Sequence, residues 1–173
     1  MAEFYELIGQ RESVRDYDPD HCIDDDTLKR ILNAGRLAPS ASNRQPWTFL
    51  VVSSQEMLRK VRPSYEKEWF QTAPHILVII GHKDRSWVRS YDGYNSIETD
   101  LAIVMDHIIL AAAAEGVGTC WIAAYDPQIL ADAIGLQEDE VIFCITPLGY
   151  PNEGYESNRP KQRKSFDEIV RFI

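Results

Sequence analysis

Ala38–Trp47 (APSASNRQPW) runs directly into Thr48–Ser53 (TFLVVS). Small polar residues set between prolines make a rigid loop with exposed backbone amides and carbonyls. Such a loop can approach a flat heteroaromatic ring and hydrogen-bond its edges. Taken alone, it also reads as an ordinary polar turn before a strand. TFLVVS is a short β-rich apolar run, as is His75–Ile80 (HILVII), and both predict buried strands. Thr119–Ala123 (TCWIA) and Val141–Leu148 (VIFCITPL) extend the set.

Helical patterns separate these runs. Phe4, Leu7 and Ile8 share one face of a short N-terminal helix. Leu28, Ile31, Leu32 and Gly35 repeat at helical spacing after Asp24–Asp26, an acidic run suited to capping, and Pro39 closes that segment. Gln55–Val61 reads as a helix. Ile97–Glu115 is the longest, with Leu101, Met105, Ile108 and Ala112 on one stripe. Its Ala-rich end, Ala111–Ala114, would let a second helix approach closely, and Gly116-Val117-Gly118 terminates it. Asp126-Pro127 opens a further helix, and Ser165 with Glu168 forms a capping box for a terminal one. The pattern predicts a sheet of four or five strands with helices on its faces. Periodicity leaves strand direction open.

The 173 residues suit a single domain spanning 1–173, able to bury a core without disulfide or metal. Lys and Arg number 18 against 27 Asp and Glu, a net charge of −9, which disfavours nucleic acid or an anionic membrane as partner. A phosphorylated ligand would require cations gathered locally. Cys22, Cys120 and Cys144 are an odd set with no C-x-x-C pair, as in reduced cytosolic proteins. Met1–Gln10 lacks the basic and apolar regions of a signal peptide. The apolar stretch Leu101–Ala114 is interrupted by Asp106 and His107 and is too short to span a bilayer, so a cytoplasmic protein is expected.

Several chemistries are missing their signatures. There is no G-x-G-x-x-G, no phosphate-binding G-x-x-x-x-G-K-[ST] and no G-x-S-x-G elbow. His21, His75, His82 and His107 show no spacing for a shared metal, and Cys120 sits in an apolar strand where a thiol is inert packing. Chemistry here would be carried by something bound.

Two basic segments meet the charge requirement. Arg11-Glu12-Ser13-Val14-Arg15 offers two guanidinium forks and a hydroxyl, a good phosphate grip, although alone it also reads as a solvated loop. Residues 159–171 carry five cations (Arg159, Lys161, Arg163, Lys164, Arg171) against Asp167 and Glu168; alone they also read as a solubilising tail.

R-x-S-x-R at Arg11–Arg15, A-P-S-A-x-N-x-Q-P-W at Ala38–Trp47, G-x-G-T-C-W-I at Gly116–Ile122, P-L-G-Y-P at Pro147–Pro151 and K-x-R at Lys161–Arg163 occur in that order. Together they resemble the FMN-dependent nitroreductase family nearly end to end. The resemblance implies an α+β fold, with a central mixed or antiparallel sheet flanked by helices. It also implies an intertwined homodimer that binds FMN at two interface sites, with the long helix in the dimer core. By motif position, Arg11, Ser13, Arg15 and Arg163 would hold the FMN phosphate and ribityl chain. Lys161 would be a neighbour in that cluster, and Glu12 would lend backbone contacts. Pro39, Ser40, Ala41 and Asn43 would reach the flavin ring from the partner subunit. Trp121, Ile122, Ala123 and Ala124 would pass along its N5 edge.

The implied reaction is ping-pong: NADH or NADPH delivers hydride to N5, then a flat electron-poor acceptor such as a nitroaromatic or quinone enters the same slot. Chemistry lies on the flavin, and no side chain is an obligatory acid or base. Ala123-Ala124 stands where many relatives carry Glu-Gly. The segment before the long helix is short and holds Trp87, Arg89, Tyr91 and Tyr94, which are candidates for a compact lid or local packing. Alternatives on the same fold are dehalogenation, flavin breakdown, or FMN storage and sensing without turnover.

Overall fold

The computed structural model describes residues 4–157 and 160–173. In chain order the elements are α1 (Phe4–Gln10), α2 (Asp25–Arg36), β1 (Trp47–Val52), α3 (Gln55–Val61), α4 (Glu68–Thr72), β2 (His75–His82), α5 (Ile97–Ala114), β3 (Gly118–Thr119), α6 (Pro127–Ile134), β4 (Glu140–Gly149) and α7 (Phe166–Ile169). The helix starts follow their caps. Asp24 accepts from the amides of Asp26 and Thr27, and Asp126 from those of Gln128 and Ile129, while Ser165 and Glu168 form the reciprocal box of α7. Gly116, at φ 73°, supplies the left-handed turn after α5. No sequence pattern marks α4, which forms where Phe70 is drawn into the core.

The sheet order is β1-β2-β4-β3, and every pairing is antiparallel. β2 is central and buried along its whole length. Its alternation feeds two cores. Leu77 and Ile79 face α5 and α2, packing on Leu101, Val104, Met105, Ile108 and Ile31. Ile76, Val78 and Ile80 face α3, α4 and α6, packing on Leu58, Phe70 and Leu130. Helices on both faces explain why HILVII is unbroken apolar, a pattern usually tied to parallel sheets, although the ladder here is antiparallel.

The strand expected over Thr119–Ala123 is much shorter. β3 pairs only Gly118 with Gly149 and Thr119 with Leu148. The Cys120 amide then donates to the Thr146 hydroxyl at 3.0 Å, a side chain taking the place of a ladder carbonyl. Ile122 rejoins through one isolated bridge to Ile145.

α2 crosses α5 at Gly35, where a Cβ would lie 2.6 Å from the Ile108 side chain. The Ala-rich end of α5 is approached instead by α1 and the chain after it, with Ala113 facing Leu7 and Arg11. Arg30 of α2 pairs bidentately with Glu115 at the end of α5, both contacts at 2.8 Å. α1 buries none of its residues, and Phe4, Tyr5 and Ile8 are exposed, as are Phe166, Ile169 and Phe172 at the other terminus. Among the described residues no helix is long and apolar enough to cross a membrane.

Ile108→Ala should lower unfolding stability by about 2–5 kcal/mol in urea, with the denaturant slope unchanged. The hydrogen bond from Arg30 holds the Glu115 carboxyl below its ordinary value of 4.5. A carboxyl depressed in the folded state stabilises above its unfolded value and loses that contribution as pH falls through its folded value. Arg30→Ala should therefore cost stability at neutral pH, and its gap from wild type should close on acidification below 4.5. A gap that widened in acid would contradict this.

Candidate functional site

Residues 11–18 follow α1 and run alongside the short end of the sheet. The Val14 amide donates to Thr119 O at 2.8 Å, and the Asp18 amide to Tyr150 O at 2.9 Å. Val14 and Tyr17 turn into the core, and the Tyr17 hydroxyl donates to Val14 O at 2.7 Å. Burial pushes that phenol well above its usual range. Ser13 and Arg15 are half-buried. The C-terminal segment returns over them and closes a groove of about 250 Å³, lined by Arg11, Glu12, Ser13, Arg15, Pro160, Lys161, Gln162 and Arg163. Six expected residues, some 150 positions apart in the chain, thus meet in one concavity.

The groove holds four cations and one carboxylate. Lys161 Nζ donates to Ile8 O at 2.8 Å and Gly9 O at 2.6 Å, capping the carbonyl end of α1 and pinning the returning segment. Partial desolvation, with Arg11 and Arg163 nearby, holds its ammonium below the ordinary lysine value. Arg15 lies 5.9 Å from the Trp69 ring, and its Nη1 donates to Ser13 O at 3.1 Å. The Glu12 carboxylate accepts from the Ser157 hydroxyl. Burial first, then Glu12, raises the Tyr155 phenol. The acid is thus engaged by Ser157 and Tyr155, and the guanidinium and ammonium groups dominate the field. Such an arrangement suits a phosphate. Ser157 and Tyr155 carried no sequence signal, because only the fold sets them against Glu12. Arg159 lies outside the described residues.

The second group lies elsewhere. In Ala38–Pro46, three residues other than glycine adopt the left-handed region: Ser42 at φ 50°, Asn43 at 52° and Gln45 at 50°. The loop is held by several bonds. The Gln45 amide donates to Ser40 Oγ at 2.9 Å, Gln45 Nε2 to Asn43 Oδ1 at 3.0 Å, and the Ala41 amide to Asp100 Oδ1 at 2.9 Å. Pro39 and Asn43 are exposed, while Ser40 and Ala41 are half-buried. Asp100 is in the first turn of α5, whereas Arg11 and Val14 lie against Ala113 and Gly116 at its other end. At 1.5 Å per residue, Asp100 and Ala113 stand about 20 Å apart along the helix. Within one chain, Pro39, Ser40, Ala41 and Asn43 are not brought to the cationic groove.

Residues 121–124 continue from the strand that carries Val14's partner. Trp121 is half-buried, edge-on to Phe143 with centroids 5.9 Å apart. Ile122 is committed to the core on its side chain and to Ile145 on both backbone groups. Ala123 and Ala124 are exposed. Residues 87–96 fold on themselves: the Arg89 amide donates to Tyr94 O at 2.8 Å and the Ser96 amide to Trp87 O at 2.9 Å. Arg89 pairs with Asp92 at 2.6 Å and stands 4.9 Å from the Tyr94 ring, leaving Tyr91 exposed at the tip. Of the histidines, His75 is bonded to Ser53, and burial lowers its pKa. Among the described residues no group of acids, histidines and cysteines could hold a metal.

The nitroreductase family model matches residues 8–71 and 62–150. A protein of Archaeoglobus fulgidus, provisionally named an NADH dehydrogenase/NAD(P)H nitroreductase, is 32% identical over 176 residues, covering 99% of this chain and 98% of its own. The crystal structure of a nitroreductase family protein from Clostridium difficile 630 superposes with a TM-score of 0.89 at 29% identity, covering 98% of both chains. Mouse iodotyrosine deiodinase 1 is 25% identical over 203 residues, covering 97% of this chain and 68% of its own. Fold and relatives together define an α+β oxidoreductase of the nitroreductase type. The chain belongs to the nitroreductase family.

Lys161→Ala should speed amide hydrogen exchange across 161–164 severalfold while changing global stability by less than ~1 kcal/mol. Unchanged exchange would show that the cap on α1 does not hold this segment.

Proposed function

We propose that the protein is an FMN-dependent oxidoreductase that takes hydride from NADH or NADPH and reduces flat, electron-poor acceptors such as nitroaromatics or quinones, working as a cytoplasmic homodimer. The observation that carries this reading is the gathering of Arg11, Arg15, Lys161 and Arg163 around one groove in a chain of net charge −9. The residues present fit the phosphate of FMN: two forked donors from Arg11 and Arg163, the Ser13 hydroxyl, and backbone at Glu12. Lys161 adds charge while holding the wall in place. When bound, FMN supplies two-electron acceptance and delivery at N5. The chain then has to bind, orient and leave a face open. The exposed Ala123 and Ala124 are small enough to leave room for a nicotinamide and an acceptor in turn, which is what a ping-pong cycle requires.

Distance supports a second subunit. A ring whose phosphate lies in the groove is separated by most of the length of α5 from the same chain's 38–43 loop. Pro39, Ser40, Ala41 and Asn43 would therefore come from a second copy. The exposed apolar residues of α1 and of the C-terminal segment give that copy a surface to cover.

Reductive dehalogenation is a second reading, favoured by the likeness to a deiodinase. Purified protein with NADH or NADPH should reduce a nitroaromatic faster than it releases iodide from iodotyrosine; the reverse order would favour dehalogenation. Flavin bound but never reduced by either nucleotide would favour storage or sensing. Arg11→Ala and Arg163→Ala should each weaken FMN binding about 10- to 150-fold, the loss of one charge-assisted contact of ~1.5–3 kcal/mol. Flavin fluorescence titration measures this, and unchanged affinity in both would remove the phosphate from this groove.

A further inference from the structure

Asp100 is a carboxylate with only 2% of its surface exposed, on an otherwise apolar helix face. Among the described residues it has no cationic partner within ion-pair distance. A buried charge in that position is costly unless hydrogen bonds and dipoles offset it. Here both oxygens are used. Oδ1 accepts from the Ala41 amide at 2.9 Å and Oδ2 from the Ser96 hydroxyl at 2.8 Å, in the first turn of α5 where the helix dipole favours an anion. Each contact reaches a different segment. Ala41 lies in the loop with three left-handed residues, a strained backbone that persists only where its surroundings over-determine it. Ser96 closes the 87–96 hairpin, its amide N–H donating to Trp87 O at 2.9 Å.

We propose that Asp100 is a positioning residue: its buried carboxylate clamps the 38–45 loop and the 87–96 hairpin to the start of α5 as one rigid unit, holding the loop in the shape that receives the flavin ring. The ring-facing role rests on the function proposed above; the clamp itself does not. The carboxylate suits the geometry, since it takes an N–H and an O–H at once. In Asp100→Asn the amide could still accept from the Ala41 N–H and donate to the Ser96 hydroxyl, so this neutral variant keeps the shape and loses the charge.

The test combines hydrogen exchange on flavin-free protein with titration by FMN and by riboflavin, which has no phosphate. Asp100→Ala should raise exchange at the Ala41 amide at least tenfold and loosen both segments. Ser96→Ala should loosen 87–96 and leave 38–45 protected. Asp100→Ala should weaken FMN and riboflavin by the same factor, tenfold or more, whereas Arg163→Ala should weaken FMN alone. Asp100→Asn should recover most of the affinity. It is also the variant that keeps the test readable if Asp100→Ala does not fold. Unchanged exchange at Ala41 overturns the clamp, and loosened exchange with riboflavin affinity unchanged overturns the positioning role. Wild-type protein that binds neither flavin overturns the functional reading, and the exchange result then decides the clamp alone.

Discussion

The packing of α5 against the central strand sets the terms for everything else in the molecule. Leu101, Met105 and Ile108 lie on Leu77 and Ile79 with no exposed surface on any of these side chains. Burial on that scale fixes the helix in register and keeps it from sliding. Its two ends then become reference points. The Ala38–Pro46 loop is attached to one by Asp100, and the Arg11–Arg15 segment lies against the other beside Ala113 and Gly116. The separation of the loop from the cationic groove is the length of this helix, which no loop adjustment can shorten.

The cationic groove poses the opposite problem, since Arg11, Arg15, Lys161 and Arg163 repel one another. The fold ties its cations to groups other than acids. Lys161 is bound by the carbonyls that α1 leaves unsatisfied at its end, and Arg15 by the Trp69 face and Ser13 O. Glu12, the acid in the groove wall, is engaged by Ser157. Positive charge is thus concentrated without being neutralised, which is what binding a dianionic phosphate demands of an acidic protein.

The loop and the hairpin follow a similar logic at the other end of α5. Strained backbone at Ser42, Asn43 and Gln45 is stabilised by short polar side chains within the loop and by one carboxylate beneath it. The 87–96 segment is closed by its own Arg89–Asp92 pair, and it too is anchored at the start of α5. Two neighbouring surface segments therefore share one buried support.

The sequence by itself determined most of the helices and strands and the family. Local capping by Asp24, Asp126 and Ser165 set helix starts, because a cap acts within three residues of its own position. The ordered motifs placed the family and the groove residues Arg11, Ser13, Arg15, Lys161 and Arg163. Only the tertiary structure decided the rest. Strand direction was invisible because helices cover both faces of β2, erasing the alternation that would mark one side. β3 stopped short because the Thr146 hydroxyl, distant in the chain, takes the Cys120 amide. Asp100 carried no signal of its own in the sequence, since its burial depends on the loop it holds 59 residues away. The placement of the Ala38–Pro46 loop and the Arg11–Arg15 segment at opposite ends of α5 was likewise beyond any local pattern, because spacing in sequence carries no information about distance across a folded helix.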